Sequence, residues 1–124
     1  MLTHKEVEQL LDAFMLKTGG SRLFLVDGFF DSNKTLPNSN PDRIYQHKKE
    51  VVLFEVKPEN AGREEIYKGM GQALFNLKYG RSYLVISQKH WEQVQEISDV
   101  FPFGILSYSL PVAGGAPFII KKKS

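Results

Sequence analysis

The stretch Val51-Val52-Leu53-Phe54-Glu55-Val56-Lys57-Pro58 decides how this chain folds. Four consecutive apolar residues followed by Val56 predict a strand buried on both faces, of the kind found in the middle of a sheet. Side chains alternate along a strand, so Val51, Leu53, Glu55 and Lys57 share one face. That face begins apolar and ends in an acid and a base, and Pro58 stops the ladder. Removing a carboxylate or an ammonium from water costs several kcal/mol, so charges at such a place need partners. Two readings stay open: Glu55 and Lys57 neutralise each other as a buried ion pair that serves only the fold, or they face a ligand.

Thirteen residues before Glu55 stands Pro41-Asp42, which opens a second strand, Asp42-Arg43-Ile44-Tyr45. The polar turn Gln46-His47-Lys48-Lys49-Glu50 joins the two strands into a hairpin able to bring Asp42 beside Glu55. Two carboxylates converging at a strand end suit a hard divalent cation such as Mg²⁺. A lysine next to them can orient an attacking water or offset negative charge growing on a phosphoryl oxygen. The chemistry expected of this set is phosphodiester hydrolysis.

Pro41-Asp42 followed by Glu55-Val56-Lys57 resembles the signature of the PD-(D/E)xK nuclease superfamily, and the order of elements from about Thr3 to Tyr108 is similar to that of its members. The resemblance implies an α/β fold with a restriction-endonuclease-like core of a helix, three strands, a helix and a strand, its mixed central sheet flanked by helices. It implies a DNA endonuclease in which metal-activated water attacks the phosphate, with Mg²⁺ as cofactor and Mn²⁺ able to substitute. Asp42, Glu55 and the Val56 carbonyl become the metal ligands, and Lys57 the catalytic base or charge stabiliser. Small archaeal-type Holliday-junction resolvases in the same superfamily place a helix-one glutamate in the metal site, which makes Glu6, with Glu8 nearby, a further candidate ligand. A polar residue on the second helix often supports the site, and Gln72 stands in the matching segment. The Gln-x-x-x-Tyr form of some branches is absent, because Asn76 occupies the tyrosine position. Two other functions remain in view: a non-catalytic nucleic-acid-binding or assembly subunit with a nuclease fold, and a nuclease acting on RNA or cyclic nucleotides.

The 124 residues, with 42% hydrophobic and 24% charged side chains, predict one domain with a single core and no separate recognition module. Small size therefore suggests a homodimer on DNA. No stretch is long or apolar enough to span a membrane, the N-terminus lacks a signal-peptide pattern, and there is no cysteine. A cytoplasmic protein is expected. The net charge of +2 is too small to mark a nucleic-acid binder, so its distribution matters more. Lys48, Lys49, Lys68, Lys78 and Arg81 are the candidate phosphate contacts, while Lys121-Lys122-Lys123 read equally well as solvated surface.

The remaining elements follow from periodicity. Thr3-His4-Lys5-Glu6 fits a capping box, a simpler account of Glu6 than metal binding, and leads into a helix to Lys17 with Val7, Leu10, Leu11 and Phe14 on one stripe. Leu23-Phe24-Leu25-Val26 reads as a strand ending at Asp27, a rival to Asp42, and a connection rich in Asn, Ser and Pro spans 31–40. A helix is expected over 64–79, a strand over 82–87, a helix over 90–100 with Trp91, Val94 and Ile97 inward, and a strand over 104–108. The segment 113–120 suits a hairpin or an edge strand. His4, His47 and His90 fall at helix starts and a turn, where structural or exposed roles are expected.

Overall fold

The computed structural model describes residues 1–23, 41–109 and 117–124; Asp27 and the connection over 31–40 lie outside them. The chain is an α/β protein. Helix α1 (His4–Lys17) is followed by strands β1 (Ser21–Leu23), β2 (Arg43–His47) and β3 (Glu50–Val56), helix α2 (Arg63–Asn76) and strand β4 (Arg81–Ser87). Helix α3 (Gln88–Val94) runs into a 3₁₀ turn (Gln95–Val100), and strands β5 (Gly104–Tyr108) and β6 (Phe118–Lys122) complete the order. The six strands form one mixed sheet in sequence order. β3, β4 and β5 are parallel, and β1, β2 and β6 run antiparallel to their neighbours.

The central strands are buried on both sides, as their unbroken apolar runs require. Alternation divides them between two cores. Val52, Phe54 and Val56 of β3, with Val85, Leu106 and Tyr108, lie under Val7, Leu11 and Met15 of α1. Leu84, Ile86 and Ile105 point the other way, against Ile66 and Ala73 of α2 and Val94 of α3. At about 25 cal/mol per Å² of apolar surface removed from water, these two layers are the main source of stability.

Thr3 caps α1 through the expected box: its hydroxyl accepts from the Glu6 amide, and Glu6 reaches back to the Thr3 amide. The hairpin differs from expectation in its turn. His47 pairs with Glu50, leaving only Lys48 and Lys49 between strands, with φ of 50° and 70°. The helix expected over 90–100 is also divided. After Val94 the chain tightens to 3₁₀ geometry, three residues per turn rather than 3.6. That rotation leaves Val94 buried but turns Ile97 outward, 49% exposed, so Ile97 is not part of the core. The chain end is an edge strand, as one of the two readings had it, and 110–116 lie outside the described residues. Lys122 is not idle surface: its ammonium donates to the Ser98 and Phe101 carbonyls that end the 3₁₀ turn.

Candidate functional site

Register brings the acids together. Arg43 of β2 pairs with Phe54 of β3, so Asp42, one residue earlier, falls opposite Glu55. The Asp42 Oδ2 accepts from the Val56 amide at 2.8 Å. Val56 is thus tied to Asp42 through its N–H, and the Asp42 charge acts on the Glu55 carboxyl across the strand pair. Burial and a like charge nearby both disfavour an ionised carboxylate. Glu55 is the one held protonated: burial first, then the Asp42 charge, push it from 4.5 up to about 8, against the Asn76 amide and the charge of Lys57, which act the other way. Glu55 is 2% exposed.

Lys57 does not close an ion pair with it. Among the described residues no salt bridge reaches Glu55, so the mutual neutralisation that a Glu-x-Lys strand end allows is not what this chain forms. The Lys57 backbone is held at both ends, its amide donating to Val85 O at 2.9 Å and its carbonyl accepting from the Tyr108 hydroxyl at 2.6 Å. Burial raises the Tyr108 phenol above its usual range, so it stays a donor. The lysine side chain runs along α2 at Gly69, where an added Cβ would stand 2.6 Å from Lys57 Cε and 3.0 Å from Leu84 Cδ1. A glycine in mid-helix, costing about 1 kcal/mol against alanine, has its reason here.

Two residues that the sequence did not single out join this cluster. Asn76 of α2 donates from Nδ2 to Glu55 Oε1 at 3.3 Å. It occupies the place where a tyrosine was sought, and that spacing was the signal available to find it. His4 places Nε2 3.3 Å from Asp42 Oδ2 and Nδ1 3.2 Å from Glu8 Oε1. His4, Glu8 and Asp42 each offer a ligand atom within 4.8 Å of the others. The helix-one acid beside Asp42 is therefore Glu8, not Glu6. The Glu6 carboxylate accepts from the Thr3 amide and hydroxyl, which hold it below its ordinary range, and the metal role expected of it gives way to the cap. Glu8 also pairs with Arg43 at 2.9 Å, and Arg43 reaches Asp12 at 3.0 Å, fixing α1 to the start of β2.

Gln72 lies between Gly69 and Asn76 at helical spacing of three and four, hence on the same face of α2. Its Oε1 is shielded from solvent with no hydrogen-bond partner among the described residues. His90, by contrast, is structural. Its ring contacts Ser87 Oγ and Ala61 O, both at 2.9 Å, and burial keeps its pKa below the ordinary value.

The basic candidates are elsewhere. Lys48 and Lys49 sit at the far end of the hairpin from Asp42 and Glu55, and Arg81, paired with Glu50, starts β4 at that same end, just after Lys78. They do not flank the acids as expected. Lys68 is exposed on the outer side of α2. A cavity of about 400 Å³ also lies at the far end, lined by Phe14, His47, Lys48, Phe54, Arg81 and Tyr83 among others. What gathers at the acid end are the starts of α1, α2 and α3, with Lys5, Arg63 and Lys89 exposed on them. No helix among the described residues is long and apolar enough to cross a membrane. No protein-family model, no curated protein and no solved structure matches the chain.

Proposed function

We propose that this protein is a divalent-metal-dependent phosphodiesterase of the PD-(D/E)xK type, acting on DNA as an endonuclease. The observation that carries the reading is the carboxyl pair at the ends of β2 and β3: Glu55, buried and with no salt bridge among the described residues, stands opposite Asp42, and burial and the Asp42 charge raise its pKa to about 8. Buried acids kept at this free-energy cost cluster at functional sites. The donor set suits a hard cation, since two carboxyl groups facing each other at a strand end offer the oxygen ligands such an ion takes. Asp42 and Glu55 would hold it, and Asp42 also stands within 4.8 Å of ligand atoms of His4 and Glu8, a group that does not include Glu55. Bound there, Mg²⁺ or Mn²⁺ would polarise a phosphate oxygen and make a water acidic enough to attack near neutral pH.

The rest falls to the chain's own side chains. Glu55 would give up its proton to bind a cation, while Asn76 orients its carboxyl group and Tyr108 fixes the Lys57 backbone. Lys57 brings positive charge to the developing phosphoryl charge, and the Gln72 oxygen offers an acceptor for a water or for that ammonium. The order of elements supports the reading too: α1, an antiparallel β1–β3 meander, α2, and β4 parallel to β3 follow the nuclease core. A site beyond the carboxyl ends of parallel strands is also the usual one in α/β sheets.

The test is calorimetry with Mg²⁺ and Mn²⁺, then incubation with duplex and branched DNA, RNA and cyclic nucleotides. Metal-dependent nicking of DNA is expected, reduced at least about 100-fold in folded Lys57→Ala and Glu55→Gln variants. Unchanged cleavage in either variant would remove this site. Metal binding with no cleavage of any substrate would favour a binding subunit instead, and cleavage confined to RNA or cyclic nucleotides would move the substrate class.

A further inference from the structure

Helix α2 carries a second stripe besides the one it buries. Ile66, Gly69, Ala73 and Asn76 face the sheet. On the outer side Tyr67, Leu74 and Phe75 are 53%, 52% and 51% exposed, an unusual concentration of large apolar surface on one helix. Between them Gly71 has nothing within 4 Å of an added Cβ. The stripe repeats every seven residues, Glu64 and Gly71 in one row and Tyr67 and Leu74 in the next, which is the spacing of a helix–helix seam, and Lys78 follows in the turn just past the end of the helix.

The order of residues along that stripe selects the partner. Counted outward from Gly71, the positions three away are Lys68 and Leu74, those four away are Tyr67 and Phe75, and those seven away are Glu64 and Lys78. A second copy of the helix, antiparallel and related by a two-fold axis through Gly71, would meet each member with its complement. An aromatic ring meets an aromatic ring, the lysine stem covers a leucine, and an acid meets a base at both ends. The glycine at the axis lets the two backbones approach. All seven residues are exposed and none belongs to the proposed phosphodiesterase site.

We infer that the outer face of α2 is an isologous dimer interface, closed by a second copy of this chain in antiparallel register about Gly71, with Glu64 of each copy paired to Lys78 of the other. Such pairing is self-complementary, as two-fold association requires. A contact made by one four-turn helix from each copy is smaller than the roughly 1,200 Å² of standard interfaces, so a reversible dimer rather than an obligate one is expected.

Sedimentation equilibrium of the full chain over a wide concentration range tests it. A reversible monomer–dimer equilibrium is expected. Glu64→Lys and Lys78→Glu should each weaken it about tenfold or more, and the double variant should restore it, because only the crossed pairing regains complementarity. The chain has no cysteine, so a Gly71→Cys variant carries a single thiol placed on the axis. Mild oxidation should convert it to a disulfide-linked dimer, whereas Leu16→Cys, exposed on α1, should form little disulfide-linked dimer. A protein monomeric at all concentrations, a dimer indifferent to the charge reversals, or equal cross-linking of both cysteine variants would overturn the inference. None of these readouts depends on nuclease activity.

Discussion

At the scale of single residues, Glu55 has the most unusual surroundings. Its folded form holds a proton that the unfolded chain, with a carboxyl near 4.5, releases, and the folded value lies at about 8. The stabilisation this proton contributes is fully present below about 4.5 and is lost as the pH rises toward 8, because over that window the native state binds more protons than the unfolded one. Urea melts of the metal-free protein should therefore show stability falling between pH 5 and 8, with a limiting slope of about 1.4 kcal/mol per pH unit. Glu55→Gln, which keeps the hydrogen bonds and removes the titration, should flatten that slope. A wild-type profile level across the window would show that Glu55 is ionised in the folded chain. The acid-and-base ending of this strand was readable from alternation alone. That the acid would keep its proton was not, since that depends on its burial and on Asp42, Asn76 and Lys57 meeting around it.

Secondary-structure elements show where local rules hold and where contacts override them. The α1 cap is local chemistry between residues three apart, and it forms as written in Thr3 and Glu6. The β2–β3 turn is the opposite case. Two-residue hairpins need left-handed backbone at both central positions and favour Asn-Gly, but this chain has Lys48-Lys49 there. Nothing in those letters announces a tight turn. The strands impose it, because pairing His47 with Glu50 continues the register that buries Tyr45, Val52 and Phe54 under α1. Left-handed backbone costs a side-chain-bearing residue on the order of 1 kcal/mol. Lys48→Asn with Lys49→Gly should thus stabilise the protein by about 1 kcal/mol and raise Tm by roughly 4 °C, measured by thermal unfolding. A lower Tm would show that the lysines make contacts that repay their backbone strain.

For the whole molecule, the useful distinction is between the two ends of the sheet. The far end holds Lys48, Lys49, Lys78 and Arg81, whereas the acid end gathers Lys5, Arg63 and Lys89 at the starts of three helices. Sequence position could not separate these sets, because a hairpin and a parallel crossover carry neighbours in the chain to opposite ends of the fold. If nucleic acid is bound where the acids are, neutralising Lys5, Arg63 and Lys89 should weaken binding and lower the salt slope, log K against log salt, by about 0.9 per lost duplex phosphate contact. Lys48→Ala with Lys49→Ala should leave that slope unchanged. Filter binding at several salt concentrations checks both, and the reverse pattern would shift the nucleic-acid path to the far end.

What the sequence determined by itself is whatever rests on local periodicity and on few residues: the buried central strand ending in Glu55 and Lys57, the capped first helix, and the alternation of strands and helices. These follow from side-chain alternation, helical spacing and capping, all of which act over a few positions. Only the tertiary structure decided which groups surround the acids. Asn76 and His4 arrive from separate helices, Gly69 opens a path for Lys57, and the basic residues sort to two ends. The physical reason is that burial and charge are properties of distance in space, and distance along the chain does not fix them.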